Sequence, residues 1–511
     1  MRMWTYGLLL GWMTISLSLF AAGDQVGPKN NRPNIILMMA DDMGYGDPHY
    51  MGNREIRTDN LDAMAASGLR FQRFYSGAPV CSPTRGSCLT GRHPYRYGVW
   101  GANSGCMLSE EWTLAELLKK EGYTTGHFGK WHLGTLTKTE KDSNRGGPRG
   151  IAHYSPPWEN GFDVCFSTEA KVPTWDPMIR PKNKRSSIWW DPIQDPADAV
   201  AYGTAYWSNG QKVTENLEGD DSRVIMDRAI PFIRRSCEEG KPFFAVIWFH
   251  APHLPTVSGE RYTRMYKQFD RCKQHYFGCI TAMDEQIGRL RRTLREVGAA
   301  EDTMLWFCAD NGPEGQARTK DWSVEKDAVK GSASKSQLPG SAGTLRGRKR
   351  SLFEGGVRVP GILEWPARIS QGRISDVPAS TCDYVPTVLD VLDLRMPDSR
   401  PLDGVSLKPL IEGKMTRRGK QIPFESSGRL ALIGDRYKVV YDPEVKKAPR
   451  VEPNKPGRVE IDSLMLFDLV ADPGEKHDIA ADHPELVRKM AEEVNRFRMS
   501  CASSKAGVDY R

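Results

Sequence analysis

The sequence predicts an α/β fold: a large, mixed, mostly parallel sheet sandwiched by helices, with a smaller C-terminal α+β domain that has an antiparallel sheet. Three observations predict it. First, residues 34–40 (NIILMMA), 243–249 (FFAVIWF) and 303–309 (TMLWFCA) are apolar almost without interruption. Runs of that length read as strands buried on both faces, the habit of a parallel sheet covered by helices. Second, helical periodicity lies between them. One helix begins near Thr58 and presents Leu61, Met64, Ala65 and Leu69; another, over residues 222–237, presents Val224, Ile225, Ala229 and Ile233. Third, the character changes after about Arg417. Alternating segments at 430–441 and 463–469 suit antiparallel strands. A terminal helix follows, capped by Asp482, with Pro484 and Glu485 in its first turn and Leu486, Met490, Val494 and Phe497 on one face.

The chain has 511 residues, 39% of them apolar, enough to bury a large core, so disorder is not its default. Its opening reads as an export signal over residues 1–23: Arg2, an apolar stretch over 7–20, then Ala21, Ala22 and Gly23. That stretch is too short to span a bilayer and ends in small residues suited to cleavage. No other stretch is long and apolar enough to span, so the expected mature chain, at residues 31–415 and 416–511 as two units, is exported without a membrane span. The ten cysteines are scattered through a chain large enough to fold without staples; with Cys81 withdrawn for chemistry, nine remain and at least one stays unpaired. No Asn-x-Ser/Thr acceptor occurs, which favours a bacterial periplasm or exterior over a eukaryotic secretory route. The formal charge of +7, or +6 without Arg2, suits an anionic substrate as well as it suits an ordinary surface. The basic residues are not gathered into a nucleic-acid motif.

Over 134–210 the periodicity fades into Pro, Trp and basic residues, including Trp158, Trp175, Trp189, Trp190 and Trp207 with Lys182, Lys184 and Arg185. This reads as long loops over the functional face, and a second such loop spans 312–343. The tryptophans read either as packing anchors or as a carbohydrate surface.

The three apolar runs end in polar residues: Asp41 and Asp42, His250 and His253, Asp310 and Asn311. In an open α/β sheet the carboxyl ends of the strands form the ligand crevice, so these groups should converge. An oxygen set of carboxylates and an amide selects a hard cation, Ca²⁺ or Mg²⁺, and lacks the Cys and His ligands zinc prefers. Asp41 and Asp42 alone also fit a strand-end turn.

Residues 79–91 read PVCSPTRGSCLTG. Ser82 can cap a helix that starts with Pro83 and ends at Gly91, which places Cys81 just ahead of an anion-favouring N-terminus. Arg85 lies one turn on. Cys81 by itself reads as an activated thiolate, a disulfide partner or a small buried residue. Lys130 and His132, in GKWHLG after the segment 123–128, would face the same way in an extended chain.

Cys-x-Pro-x-Arg is also the core that formylglycine-generating enzymes oxidise, and the chain resembles the type I, formylglycine-dependent sulfatases of the alkaline phosphatase superfamily. The resemblance runs from about Asn31 to the C-terminus through NIILMMADDMGYGD, PVCSPTRGSCLTGRHP, GKWHLG, FHAPHLP, ADNG, LRGRKRSLFEGGVRVP and FDLVADPGEKHDIA, in family order. Position 84 is Thr where many members have Ser. The pattern is similar to sulfatases of the arylsulfatase and N-acetylgalactosamine-6-sulfatase type.

The resemblance implies an alkaline phosphatase-like fold, with a catalytic domain at 31–415 and a C-terminal subdomain at 416–511. It implies that Asp41, Asp42, Asp310 and Asn311 bind one divalent cation, usually Ca²⁺, beside the modified residue 81. Lys130 is given a sulfate-binding role and His132 the holding or deprotonation of the formylglycine hydrate. His253 resembles the histidine at the sulfate and leaving oxygen, and Lys349 the second sulfate-binding lysine, flanked by Arg348 and Arg350. His250 and His127 are left as structural. The implied chemistry is attack on sulfur by one hydroxyl of a hydrated aldehyde at position 81, then expulsion of sulfate by the second hydroxyl, which a serine or thiol lacks. The partners implied are a sulfated small molecule or glycan and, during maturation, a formylglycine-generating enzyme. The alternatives are a phosphoester or phosphonate hydrolase of the same superfamily and an inactive relative that binds sulfated glycan.

Overall fold

The computed structural model describes Met1 and residues 32–183, 186–315, 338–452 and 459–510. The export signal read at 1–23, the basic pair Lys184 and Arg185, and much of the 312–343 loop lie outside the described residues beyond Met1, Gly312 to Gly315 and the stretch from Leu338.

In chain order the strands of the first three quarters are β1 (Asn34–Ala40), β2 (Leu69–Tyr75), β3 (Thr124–Lys130), β4 (Val164–Thr168), β5 (Ile179–Pro181), β6 (Ala199–Ala201), β7 (Tyr206–Ser208), β8 (Gln211–Lys212), β9 (Phe243–Trp248), β10 (Thr303–Ala309), β11 (Arg358–Glu364), β12 (Arg373–Ser375) and β13 (Ala379–Ser380). All but β5 and β6, which pair with each other, join one sheet in the order β12-β2-β11-β10-β1-β9-β3-β4-β7-β8, with β13 on β2. The middle, β10-β1-β9-β3-β4, is parallel throughout, and antiparallel β11 and β7 flank it. The three apolar runs are the central strands, buried along their length except at Asn34, which opens β1 half-buried.

Helices cover both faces. On β9, Phe243 meets Phe232 of the helix Asp221–Glu238, while Trp248, which points to the other face by alternation, lies under Arg85 of the helix Cys81–Thr90. The helices Asp59–Ser67 and Arg271–Glu296 pack with Asp221–Glu238 on the first face.

Strands β14 (Ile422–Ser426), β15 (Arg429–Ile433), β16 (Tyr437–Tyr441) and β17 (Met465–Asp468) form the separate antiparallel sheet. Alternation divides its side chains. Leu430, Leu432 and Val439 pack on Val487, Met490 and Val494 of the terminal helix Pro484–Lys505, while Ala431, Ile433 and Val440 pack with Tyr75, Leu352 and Val357 beside the large sheet.

Several expectations are corrected. Leu69 opens β2 rather than closing the first helix, because Gly68 is already extended. The terminal helix is preceded by His483, not capped by Asp482, which belongs to a 3₁₀ turn; its buried face is Val487, Met490, Ala491 and Val494, leaving Leu486 and Phe497 half-buried. The stretch 134–210 is not all loop. It contains β4, a parallel strand of the main sheet whose five residues are too short to show a period.

Candidate active site

The site lies where the parallel strands end. β1 delivers Asp41 and Asp42, β10 delivers Asp310 and Asn311, β3 ends in Lys130, and β9 leads to His253, so these groups converge as predicted, while His250 turns away to Thr168 and Asp221. The pairings are close. Lys130 Nζ donates to Asp41 Oδ2 at 2.6 Å, and Arg85 donates to Asp310 Oδ2 at 2.8 Å while lying 3.3 Å from Asp41. Asn311 Nδ2 donates to Asp42 Oδ1 at 2.7 Å, Lys349 Nζ donates to Asp42 Oδ2 at 2.7 Å, and the Asp42 N–H donates to Asp310 Oδ1 at 3.0 Å. Asp42 adopts φ 65°, a left-handed conformation uncommon outside glycine, which this hydrogen-bond set holds in place.

Cys81 is buried, and it is the first residue of its helix, not the residue before it. The preceding extended residue is Val80, and the Ser82 hydroxyl caps nothing: it is buried without a hydrogen-bond partner. Gly91 ends the helix in the left-handed conformation, as the sequence predicts. Burial pushes the Cys81 thiol up despite Lys130 and Lys349, so an activated thiolate is not what this environment produces. None of the ten cysteines is paired.

Lys130 and His132 do not reach the site by strand alternation. β3 stops at Lys130, and His132 has φ 59°. Gly129 has φ 103°, and a Cβ there would meet the Trp248 carbonyl oxygen at 1.9 Å, so only glycine lets β3 turn against β9 at this point. His132 Nε2 donates to Asn103 Oδ1 at 3.1 Å, and its Nδ1 is buried with no hydrogen-bond partner, a lone pair kept available. Burial, together with Lys130 and Arg85, holds the His132 ring well below the usual histidine range and hence neutral.

His253 lies 3.5 Å from Asp42 through Nε2, while its Nδ1–H donates to the Leu254 carbonyl at 2.7 Å. Burial keeps this ring neutral too, against the pull of Asp41, so Nε2 carries the lone pair. Of the three basic neighbours at 348–350, the structure sends Lys349 to Asp42. Arg348 turns to backbone carbonyls including that of Glu314, and Arg350 pairs with the Glu314 carboxylate at 2.6 Å. His250 and His127 are structural, as read. His250 bridges the Thr168 hydroxyl and Asp221, each at 2.8 Å, and His127 packs against Trp131 and Trp248 and bonds Ser167.

The acids divide the electrostatic load. Burial raises Asp41, but Lys130, with Arg85 and Lys349, holds it well below the usual carboxylate range. Burial and the Asp41 charge push Asp310 up to about 7. Asp41 Oδ1 and Asn311 Oδ1 are buried without a hydrogen-bond partner, and an orphaned buried oxygen costs about 1–3 kcal/mol. A hard divalent cation would satisfy both, and the donors are all oxygen. Asp41, Asp42 and His253 also offer ligand atoms within 4.8 Å of one another, but the two orphaned oxygens make the carboxylate and amide set the better fit.

Sequence reading missed Asn103, Glu314 and Lys171. Each is a single polar residue in a loop, and the available signals were weak: Glu314 follows the ADNG motif directly, and Lys171 follows the end of β4. The loop tryptophans act mainly as packing anchors. Trp207 is buried and donates to Asp142 at 3.0 Å, Trp189 stacks on His275, and Trp175 packs over Gly259.

Comparison with known proteins agrees with this geometry. The family model described as Sulfatase matches residues 33–394. The chain is 29% identical over 522 residues to arylsulfatase A of Bos taurus, covering 97% of this chain and 92% of that protein. It is 30% identical over 422 residues to N-acetylgalactosamine-6-sulfatase of Canis lupus familiaris, covering 80% and 71%. Among solved structures, Ps i-CgsB in complex with k-i-k-neocarrahexaose superposes with a TM-score of 0.69 at 24% identity, covering 94% of this chain and 97% of that one, a likeness of fold. A family match over more than half the chain, spanning the strand ends and the Cys81 helix that build the crevice, places this protein in the sulfatase family, the hydrolases of sulfate monoesters.

Proposed function

We propose that this sulfatase acts on a sulfated carbohydrate, with residue 81 converted from cysteine to formylglycine as the nucleophile and one Ca²⁺ bound by Asp41, Asp42, Asp310 and Asn311. One observation carries the reading: the N-terminus of the helix Cys81–Thr90 opens into a crevice where Arg85, Lys130 and Lys349 converge on paired strand-end carboxylates.

Each residue then has a task. Conversion replaces Sγ by an aldehyde oxygen on Cβ, and hydration of that aldehyde supplies two hydroxyls at a helix N-terminus. The free Nδ1 of His132 accepts a proton from one of them, with Asn103 fixing the ring through Nε2. Lys130 and Lys349 bind the sulfuryl oxygens, and Glu314, 3.3 Å from Lys349, sets that side chain's direction. As the deprotonated hydroxyl forms its bond to sulfur and the bond from sulfur to the ester oxygen breaks, His253 Nε2, which takes up a proton from solvent, passes it to that departing oxygen; the second hydroxyl then loses its proton and expels sulfate, restoring the aldehyde. When bound, the cation supplies Lewis-acid charge that offsets the acidic strand ends and favours the anionic nucleophile.

The carbohydrate assignment draws on the relatives: the canine protein is named for N-acetylgalactosamine 6-sulfate, and Ps i-CgsB holds a neocarrahexaose. The same reading includes a catalytic domain at 31–415, a C-terminal subdomain at 416–511, export to a periplasm or the exterior, and maturation by a formylglycine-generating enzyme. No helix of the described residues is long and apolar enough to cross a membrane.

The test is hydrolysis of sulfate and phosphate esters of one alcohol, followed by a panel of sulfated glycans, before and after chelation. Faster sulfate turnover, activity on at least one glycan, and recovery with Ca²⁺ in preference to Mg²⁺ are expected. Faster phosphate turnover by a large margin would overturn the reaction, and activity on simple aryl sulfates with none on any glycan would overturn the substrate class.

A further inference from the structure

Lys130, Lys349 and Arg85 are each held by a carboxylate, but a fourth cation of the crevice is not. Lys171 is half-buried and makes no hydrogen bond or ion pair among the described residues. Its position is built. β4 runs parallel to β3 with Thr168 level with Lys130, and the Trp131 N–H donates to the Thr168 carbonyl at 2.9 Å. Past the strand end, the Thr168 hydroxyl donates to the Ala170 carbonyl at 2.7 Å and meets His250 Nε2 at 2.8 Å. His250 is in turn fixed by Asp221, which also accepts from the Tyr206 hydroxyl at 2.6 Å. A buried relay thus holds the turn that carries Lys171 against the lysine-bearing end of β3.

Burial acts on the Lys171 ammonium first, then the charges of Lys130 and Lys349; together they pull it below the usual lysine range against the weaker attraction of Asp42 and Asp41. Lys171 also acts on His253. Three ammonium groups within one another's field, one of them unpaired, are costly unless an anion joins them. Glu314 reaches Lys349 and Arg350 and forms no pair with Lys171.

We propose that Lys171 is a third binding group for the sulfuryl oxygens, forming with Lys130 and Lys349 a three-lysine seat for the substrate's sulfate and for the sulfate released. This deepens the sulfatase reading and rests on it. Because no carboxylate pairs with Lys171, its ammonium is open to a bound anion. The transferred group therefore meets one cation free of any ion pair besides the two that share their charge with Asp41 and Asp42.

The test compares full-length wild type with Lys171→Met and Lys171→Arg, and with Lys171→Gln should the Met variant fail to fold. Three readings are taken: kcat/KM on an aryl sulfate whose alcohol carries no charge, the inhibition constant of inorganic sulfate, and the thermal midpoint with and without inorganic sulfate. In Lys171→Met, kcat/KM should fall about 10- to 100-fold and sulfate inhibition should weaken to a similar degree. The midpoint without sulfate should stay level or rise, since a repelled charge is gone, while the gain on adding sulfate is lost. Lys171→Arg should keep most of the sulfate inhibition. An unchanged inhibition constant would overturn the proposal, as would a loss confined to substrates with a second anionic group or a lowered midpoint with normal sulfate binding. If the wild type fails to turn over sulfate esters yet sulfate stabilises it and not Lys171→Met, the seat stands and the enzymatic reading falls.

Discussion

The crevice and the junction beneath the antiparallel sheet both bury lysines among carboxylates, and they finish the job differently. At the junction, Lys438 Nζ lies 2.9 Å from an oxygen of Glu354 and 2.9 Å from an oxygen of Glu475. Glu354 accepts from the Tyr75 hydroxyl at 2.8 Å and has Arg358 3.5 Å away, and Glu475 accepts the Glu354 N–H at 2.6 Å. In that net every carboxylate oxygen faces a cation or a donor, Glu475 Oε1 meeting Lys438 as an ion pair without a hydrogen bond. In the crevice the same residue types leave Asp41 Oδ1, Asn311 Oδ1 and His132 Nδ1 buried without hydrogen-bond partners. A closed net of buried charge fixes the fold, whereas an open one is arranged for groups that come from outside.

The contrast breaks most visibly at position 81. Cys81→Ala should lower turnover of an aryl sulfate by at least about 10⁴-fold, since a nucleophile acts as a unit with its partners. Its thermal midpoint should stay within a few degrees, and loss of the fold instead would show that the crevice is structural. Lys438→Met should do the reverse. It strands two buried carboxylates and should cost about 3–5 kcal/mol in urea denaturation, with kcat per folded molecule unchanged. A smaller effect is expected from Lys130→Ala, which removes one donor to the sulfuryl group and should lower kcat by about 10²–10³-fold.

A pH experiment sharpens the junction side. Burial first, with Glu354 adding, pushes the Glu475 carboxyl from 4.5 up to about 7 against the pull of Lys438. The folded state therefore binds this proton more tightly than the unfolded chain. Its contribution to stability is fully present below pH 4.5 and is lost as pH rises through about 7. Between pH 5 and 8 the wild type should lose about 1–3 kcal/mol more than Glu475→Gln, read from urea midpoints at the two pH values. Parallel curves would mean the junction is not the tight net described.

The residues proposed to hold the cation and to carry the nucleophile stand out in the sequence because they sit at two readable landmarks. Asp41, Asp42, Asp310 and Asn311 end apolar runs that have no other reading than buried strands, and Cys81 with Arg85 opens a helix that Gly91 closes. What could not be read depends on backbone turns and loop placement. His132 enters through a positive φ past the end of β3, a route that strand alternation does not describe. Lys171, Asn103 and Glu314 are lone polar side chains with no period to mark them, and only the pairing of β4 with β3 sets Lys171 beside Lys130. At the helix starts, local capping rules pointed to Ser82 and Asp482, but tertiary packing decided both: the first helix begins at the buried Cys81, and the last is held by Val487, Met490 and Val494 against β15 and β16.

The most direct measurement is peptide mass spectrometry on protein from its native host, taking the tryptic piece 74–85 that contains Cys81. Loss of the thiol sulfur and appearance of an aldehyde at residue 81 is the result this account predicts. An intact, alkylatable Cys81 in enzyme that turns over sulfate esters would contradict it.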